Sequence, residues 1–218
     1  VNIIVSPPVT LERSLFVSIK IDGMVRVAAA TPHVKVADCP YNKNEMAKMI
    51  REAAANGASV IAFPELAMTG YTCGDLFKDR KLMESAKACL FDLIEETEDL
   101  DILCAVGMPI PSGGALYNCA AVFSRGVLLG LPAKQHIPNY SEFYEMRHFS
   151  TAQESGMLRY AGDWYGCRDV VFELAPDVTV GVEICEDVWV ADPPSVTFAK
   201  GGATVLLNLS CSDEIIGK

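Results

Sequence analysis

The stretch AKMIREAAANGASVIAFPEL, residues 47–66, decides the fold class. Its first part carries apolar residues at helical spacing and stops at Gly57, a residue that readily lets a chain leave a helix. Asn44 stands where a capping side chain would open that helix. Its second part, SVIAFPEL (59–66), is short, continuous and apolar, and Pro64 halts it, which reads as a buried strand. Helix then strand, closely joined, is a building unit of α/β sheets. Upstream, VRVAAA (25–30) reads as another strand. Downstream, Asp75 to Asp79 turn the chain into a second helix, MESAKACLFDLIEETED (83–99), and DILCAVGMPI (101–110) returns as a strand.

Farther out the rhythm changes. ALYNCAAVFSRGVLLGLPAK (115–134) reads as two strands about Arg125-Gly126, and Ser112 to Gly114 as a turn. A less regular stretch fills 135–168. VVFEL (170–174) and VTVGVEIC (178–185) are strands joined through Pro176-Asp177. Asp192, as a cap before Pro193-Pro194, starts a helix that runs to Lys200-Gly201-Gly202, and ATVLLNLS (203–210) is the last strand. This order predicts an α/β fold with a mixed sheet. Residues 1–22 stand outside the rhythm as an N-terminal arm, and residues 23–218 form one domain. A buried last strand is usually covered by later chain, so the domain is expected to be partial, truncated at its C-terminal end.

Composition narrows the classes. The chain has 218 residues, 50% hydrophobic and 21% charged, enough for its own core and too apolar for a disordered chain. A net charge of −10 disfavours nucleic acid and a polybasic membrane dock. No run approaches the ~20 apolar residues that span a bilayer. The 8 cysteines are scattered, several inside apolar runs, without a C-x-x-C pair. That pattern predicts reduced thiols in a cytoplasmic protein, not a disulfide lattice or a metal site.

Dinucleotide, Walker, H-E-x-x-H and G-x-S-x-G motifs are absent from the sequence. Three residues stand at strand ends, where α/β sheets place ligands: Glu65, Lys134 and Cys185. Each has a plainer reading, as a solvated or helix-capping acid, an end-of-strand lysine and a core cysteine. A two-residue repeat puts Glu183 and Cys185 on one face, and Glu186 and Asp187 add carboxylates close to the thiol. Acidic neighbours raise a thiol pKa, so a useful thiolate needs a cation. Lys134 could supply it and Glu65 could accept the proton.

FPELAMTGY (63–71), LPAKQHIPNYSEFYEMRHF (131–149) and GVEICEDVW (181–189) resemble the three motifs of the nitrilase superfamily. VRVAAATP, GYTCGDLF, NYSEFYE and NLSCSDEIIGK bring the resemblance closer to one branch, the N-terminal glutaminase domains of glutamine-dependent NAD synthetases. The resemblance covers about Gly23 to Lys218 and implies a four-layer α-β-β-α sandwich. It implies Glu65 as general base, Lys134 as cationic stabiliser, Cys185 as nucleophile and the backbone N–H of Glu186 as an oxyanion donor. It also implies a second pocket glutamate, Glu145 or Glu142. Tyr71, Tyr140, Phe143 and Trp189 are implied as pocket walls, and Ser212 and Lys218 as partners for the α-amino and α-carboxylate ends of L-glutamine. Some members of the branch have arginine where Lys218 stands, and lysine lacks its bidentate fork.

The implied reaction makes glutamate and ammonia through a thioester, with no metal or organic cofactor in this half. ATP and Mg2+ belong to a C-terminal synthetase domain that the sequence lacks. The resemblance further implies a homo-oligomer. An amidase or carbamoylase acting on another small amide shares the triad, and a catalytically silent interaction domain is the non-enzymatic alternative.

Overall fold

The structure is a computed structural model and describes residues 24–212 and Ile216. The arm at 1–22 and Lys218 lie outside the described residues.

Five strands make the first sheet: β1 (Val27–Ala29), β2 (Val60–Ala62), β3 (Leu103–Ser112), β4 (Ala115–Ser124) and β5 (Val127–Gly130), paired in that order. The first three are parallel, and β3, β4 and β5 are antiparallel, giving the expected mixed sheet. Arg125 (φ 47°) and Gly126 (φ 78°) make the tight β4–β5 turn, a conformation suited to the twist of a hairpin. The chain also turns at Gly113 and Gly114, both at positive φ.

Helices α1 (Cys39–Ala55) and α2 (Arg80–Glu96) cover one face of this sheet. Alternation along β3 divides the core, as a two-residue repeat requires. Cys104, Val106 and Met108 face the helix side with Met46, Ile50, Leu90 and Leu93. Leu103 and Ala105, with Val60, Ala120 and Val122, face the opposite way. There they meet Val180, Val182, Ile184, Leu207 and Leu209 of a second sheet. That sheet contains β8 (Val171–Ala175), β9 (Val178–Ile184) and β10 (Val205–Leu209) in the order β10-β9-β8. Helix α3 (Pro194–Lys200) lies on its outer side, so close that a Cβ on Gly181 would stand 2.7 Å from the Phe198 ring. The layers are therefore α-β-β-α. Among the described residues, no helix is long and apolar enough to cross a membrane.

Several local expectations need correction. The cap of α1 is Asp38, whose carboxylate accepts the Tyr41 N–H at 3.2 Å, with proline in the first turn; Asn44 lies inside the helix. Pro193 holds the position before α3 in an extended conformation without a side-chain bond, leaving Asp192 outside the cap. The irregular stretch contains a hairpin, β6 (Met157–Tyr160) and β7 (Asp163–Gly166), turned by Ala161 and Gly162 at positive φ. Its strands are four residues each and only Leu158, Tyr160 and Gly166 are buried, which is too short an alternation to stand out in sequence.

Candidate active site

Glu65, Lys134 and Cys185 converge at strand ends. After β2 the backbone bends through Pro64 and Glu65 to Leu66, which takes φ 54°. The bend presses against β3 at Gly107, where an added Cβ would stand 2.3 Å from the Pro64 carbonyl oxygen and 2.4 Å from the Leu66 nitrogen. Glycine is required there by the close approach of two backbones. Lys134 is held by its N–H, which donates to the Asn118 carbonyl at 2.8 Å, beside a bridge between Cys119 and Ala133.

The Lys134 side chain is fully buried between two carboxylates. Nζ is 2.7 Å from Glu65 Oε1 and 2.8 and 2.9 Å from Glu145 Oε1 and Oε2. Glu145 opens a short 3₁₀ turn, Glu145–Arg147, and also accepts the Tyr71 hydroxyl at 2.8 Å. Of the two candidate glutamates, Glu145 is the one that reaches this cluster; Glu142 is exposed on the cavity wall. Glu65 Oε1 also accepts the Asn118 amide at 2.6 Å, and Oε2 the Cys211 N–H at 3.3 Å.

Burial pushes the Glu65 carboxyl above its ordinary range, and the Lys134 charge pulls part of that back. For Lys134 burial acts to lower the ammonium, but Glu65 and Glu145 outweigh it and hold it above the usual lysine value. Burial also raises the Cys185 thiol, and Glu65 adds to the rise while Lys134 opposes it. With both carboxylates charged, a standing thiolate would give the site a second uncompensated negative charge. The cluster therefore suits a thiol that gives up its proton as it attacks.

Cys185 follows the end of β9 and opens a 3₁₀ turn, Cys185–Trp189. Its φ of 46° is rare for a non-glycine residue and ends the strand alternation, so the predicted shared face with Glu183 does not hold. Nor do the nearby carboxylates crowd the thiol. Glu183 accepts the Ser195 N–H at 3.0 Å, and Glu186 accepts the Tyr140 hydroxyl at 2.8 Å. Asp187 accepts the backbone N–H groups of Ile184, Gln135 and His136 at 3.1, 3.0 and 2.8 Å. One buried carboxylate thus ties the cysteine turn to the segment following Lys134. Backbone N–H groups in the first turn of a helix, where Glu186 stands, have no intrahelical acceptor.

A cavity of about 350 Å³ opens above this cluster. Tyr71, Phe143, Glu145 and Ser212 are on its wall, with Leu66, Phe77, His148, Phe149 and Cys211. Glu65, Lys134 and Cys185 lie beneath the wall, touched by Glu145, Cys211 and Ser212. Cys185 Sγ is 4.0 Å from Ser212 Oγ. Tyr140 is outside the lining, packing its ring edge-on to Phe143 at 5.8 Å. Trp189 was expected on the wall but is 77% exposed and turned away from the cavity, because its turn runs out toward solvent after Asp187. Sequence reading missed Asn118 and Cys211, and took Asp187 for a neighbour of the thiol instead of the acceptor that ties the two segments. A lone amide inside the buried run LYNCAAVF was the available signal for Asn118; nothing local marked Cys211.

The sequence pattern of the carbon-nitrogen hydrolase family matches residues 26–216. The chain is 38% identical over 200 residues to the glutamine-dependent NAD(+) synthetase of Mycobacterium tuberculosis, covering 90% of this chain and 30% of that protein. It therefore spans about 30% of the length of such curated relatives. The crystal structure of a glutamine-dependent NAD(+) synthetase from Cytophaga hutchinsonii superposes with a TM-score of 0.77 at 30% identity, over 89% of this chain and 32% of that one. An amidase from Nesterenkonia sp. shares the fold, with a TM-score of 0.68 at 17% identity over 87% of this chain and 66% of that one.

Proposed function

The chain belongs to the carbon-nitrogen hydrolase family, and from that premise we propose that it hydrolyses the side-chain amide of L-glutamine to glutamate and ammonia. The observation that carries this reading is the buried lysine between two glutamates, 2.7 and 2.8 Å away, beneath a cavity and beside a buried cysteine.

Cys185 is the nucleophile and Glu65 the general base. As sulfur attacks the amide carbon, the thiol proton passes to Glu65, so no separate buried thiolate has to form. Lys134 and the backbone N–H of Glu186 stabilise the tetrahedral oxyanion, at roughly 2.7–4 kcal/mol per donor. Glu65 returns the proton to the departing nitrogen, ammonia leaves and a thioester remains. Water, deprotonated by Glu65, then releases glutamate. Glu145 fixes Lys134 and presents Tyr71 at the wall. Chain groups supply every role, so the step calls for no metal or organic cofactor.

The ammonia serves a C-terminal synthetase domain in the full-length protein, where ATP and Mg2+ enter. Eight free cysteines, seven of them buried, support a cytoplasmic setting. A homo-oligomer is part of the same reading. A specific observation favours a second reading, an amidase for neutral amides: among the described residues, the cavity wall carries neither lysine nor arginine to meet a carboxylate.

The test compares ammonia release from glutamine, asparagine and aliphatic amides, in the parent and in Cys185→Ala. The reading expects glutamine to be preferred and the alanine variant to be folded and inactive. Release at the parent rate from the variant would remove Cys185 from its role. Equal use of aliphatic amides would favour the second reading.

A further inference from the structure

Asn118 lies within β4, fully buried, opposite Pro109 of β3. An apolar side chain would normally serve such a position best. Its Nδ2 donates to Glu65 Oε1 at 2.6 Å. Its Oδ1 is buried with no hydrogen-bond partner among the described residues. The amide is held by its donor half alone, and an unmet buried carbonyl destabilises a fold, so the group calls for an explanation beyond packing. Through its backbone carbonyl the same residue accepts the Lys134 N–H at 2.8 Å. One residue therefore places both members of the buried ion pair.

The two oxygens of Glu65 are not equivalent. Oε1 accepts Lys134 Nζ at 2.7 Å and the Asn118 amide at 2.6 Å. Oε2 has the longer contact, the Cys211 N–H at 3.3 Å. A proton added to Oε1 would have to displace a donor, whereas Oε2 has room for one.

We propose that Asn118 is a positioning residue that keeps Glu65 Oε1 an acceptor throughout the reaction and leaves Oε2 as the oxygen that takes and returns the proton of Cys185. This deepens the glutaminase reading and rests on Glu65 as its base. In the first step the S–H bond breaks as an O–H bond forms on Oε2 and sulfur bonds the amide carbon. In the second, that proton leaves Oε2 for the departing nitrogen as the C–N bond breaks. An amide donor favours a carboxylate over its acid, so Asn118 keeps the base free at pH values where burial would otherwise protonate it. The groups facing Glu65 are Lys134 after β5, Glu145 with its partner Tyr71, Cys185 after β9 and Cys211 after β10.

Two variants test this in the intact protein. Asn118→Asp keeps the side-chain shape and sets a second carboxyl against Glu65, so that the pair shares a proton. Asn118→Leu removes the donor. Two pH profiles are read: kcat/KM for ammonia release from glutamine, and the rate at which iodoacetamide alkylates Cys185, followed by mass spectrometry of the Cys185 peptide. In both variants the acid limb of both profiles should move to higher pH by about one unit or more. KM on the plateau should change by less than about twofold, since the binding contacts are untouched. An unmoved acid limb in either folded variant overturns the proposal, because the limb reports the base whose oxygen Asn118 contacts at 2.6 Å. A limb that moves only together with KM overturns it as well. If the leucine variant does not fold, the aspartate variant decides alone. If the parent releases no ammonia from glutamine, the glutaminase reading fails, while the alkylation profiles still decide the role of Asn118.

Discussion

Replacing Lys134 by methionine keeps most of the side chain's volume and removes its charge. In the parent, Nζ stands 2.7 Å from Glu65 and 2.8 Å from Glu145, and the lysine is wholly shielded from water. The variant leaves both carboxylates facing the point the charge has vacated. Breaking a buried ion pair by removing one partner costs ~3–5 kcal/mol. One cation serves two carboxylates here, so the upper part of that range is expected while both stay ionised. Whether they do depends on pH. Burial already raises Glu65, and Lys134 opposes that rise. Without the lysine the folded pair holds a proton that the unfolded chain, with a glutamate pKa near ~4.3, releases. A carboxyl raised in the folded state supports folding below its unfolded value and loses that support as pH rises through its folded value. The deficit relative to the parent should therefore be small near pH 5 and largest near pH 8. Urea unfolding of both proteins at the two pH values measures it. Thermal midpoints provide a check, at about 2–4 °C per kcal/mol for a chain of this size. An equal deficit at both pH values would refute the account of Lys134 as the charge that holds the two glutamates together. Ammonia release should be lost at both.

Gly107→Ala would drive a Cβ to 2.3 Å from the Pro64 carbonyl. It should cost about 1–3 kcal/mol or more, and slow ammonia release, because the bend that must shift carries Glu65; chemical unfolding and steady-state rates would show both effects. Asp187→Ala removes the acceptor shared by Ile184, Gln135 and His136. It should destabilise by at least about 1–3 kcal/mol and slow Cys185 alkylation, since the cysteine turn loses its tie to the Lys134 segment; unchanged alkylation would make Asp187 a purely structural acid. Ser212→Ala should raise KM for glutamine more than it slows alkylation of Cys185 by iodoacetamide. Equal losses would place Ser212 on the nucleophile instead of on the substrate.

Much of the fold was legible because it rests on local rules. The strands at Val60–Ala62 and, up to Ile110, Leu103–Ser112 are nearly continuous apolar runs, since both faces of their sheet are covered, and Val178–Ile184 shows its apolar residues at every second position. The Arg125-Gly126 turn was marked by its own residues. The heads of α1 and α3 were misread because Asp38 and Asn44 are both competent caps, and Asp192 competes with the proline beside it. The Met157–Gly166 hairpin was hidden because its few inward residues form no long repeat.

The candidate site divides along the same line. Glu65, Lys134 and Cys185 could be singled out from sequence as polar residues ending apolar strands. Their partnership could not, because 69 positions separate Glu65 from Lys134 and a salt bridge acts through space. The choice of Glu145 over Glu142 was equally closed to a linear reading: they lie three residues apart, and the backbone path after Tyr140 turns one toward Lys134 and leaves the other exposed. Trp189 shows the converse, a residue close to Cys185 in sequence that the 3₁₀ turn carries away from the cavity. Asn118 looked like one polar letter in an apolar strand, and only the pairing of β3 with β4 sets its amide against Glu65. The sequence by itself determined which segments bury and which chemical groups end them, because burial and backbone preference act over a few residues. The tertiary structure alone decided which of those groups share a charge and a proton, because Coulomb forces and hydrogen bonds depend on distances that chain order does not contain.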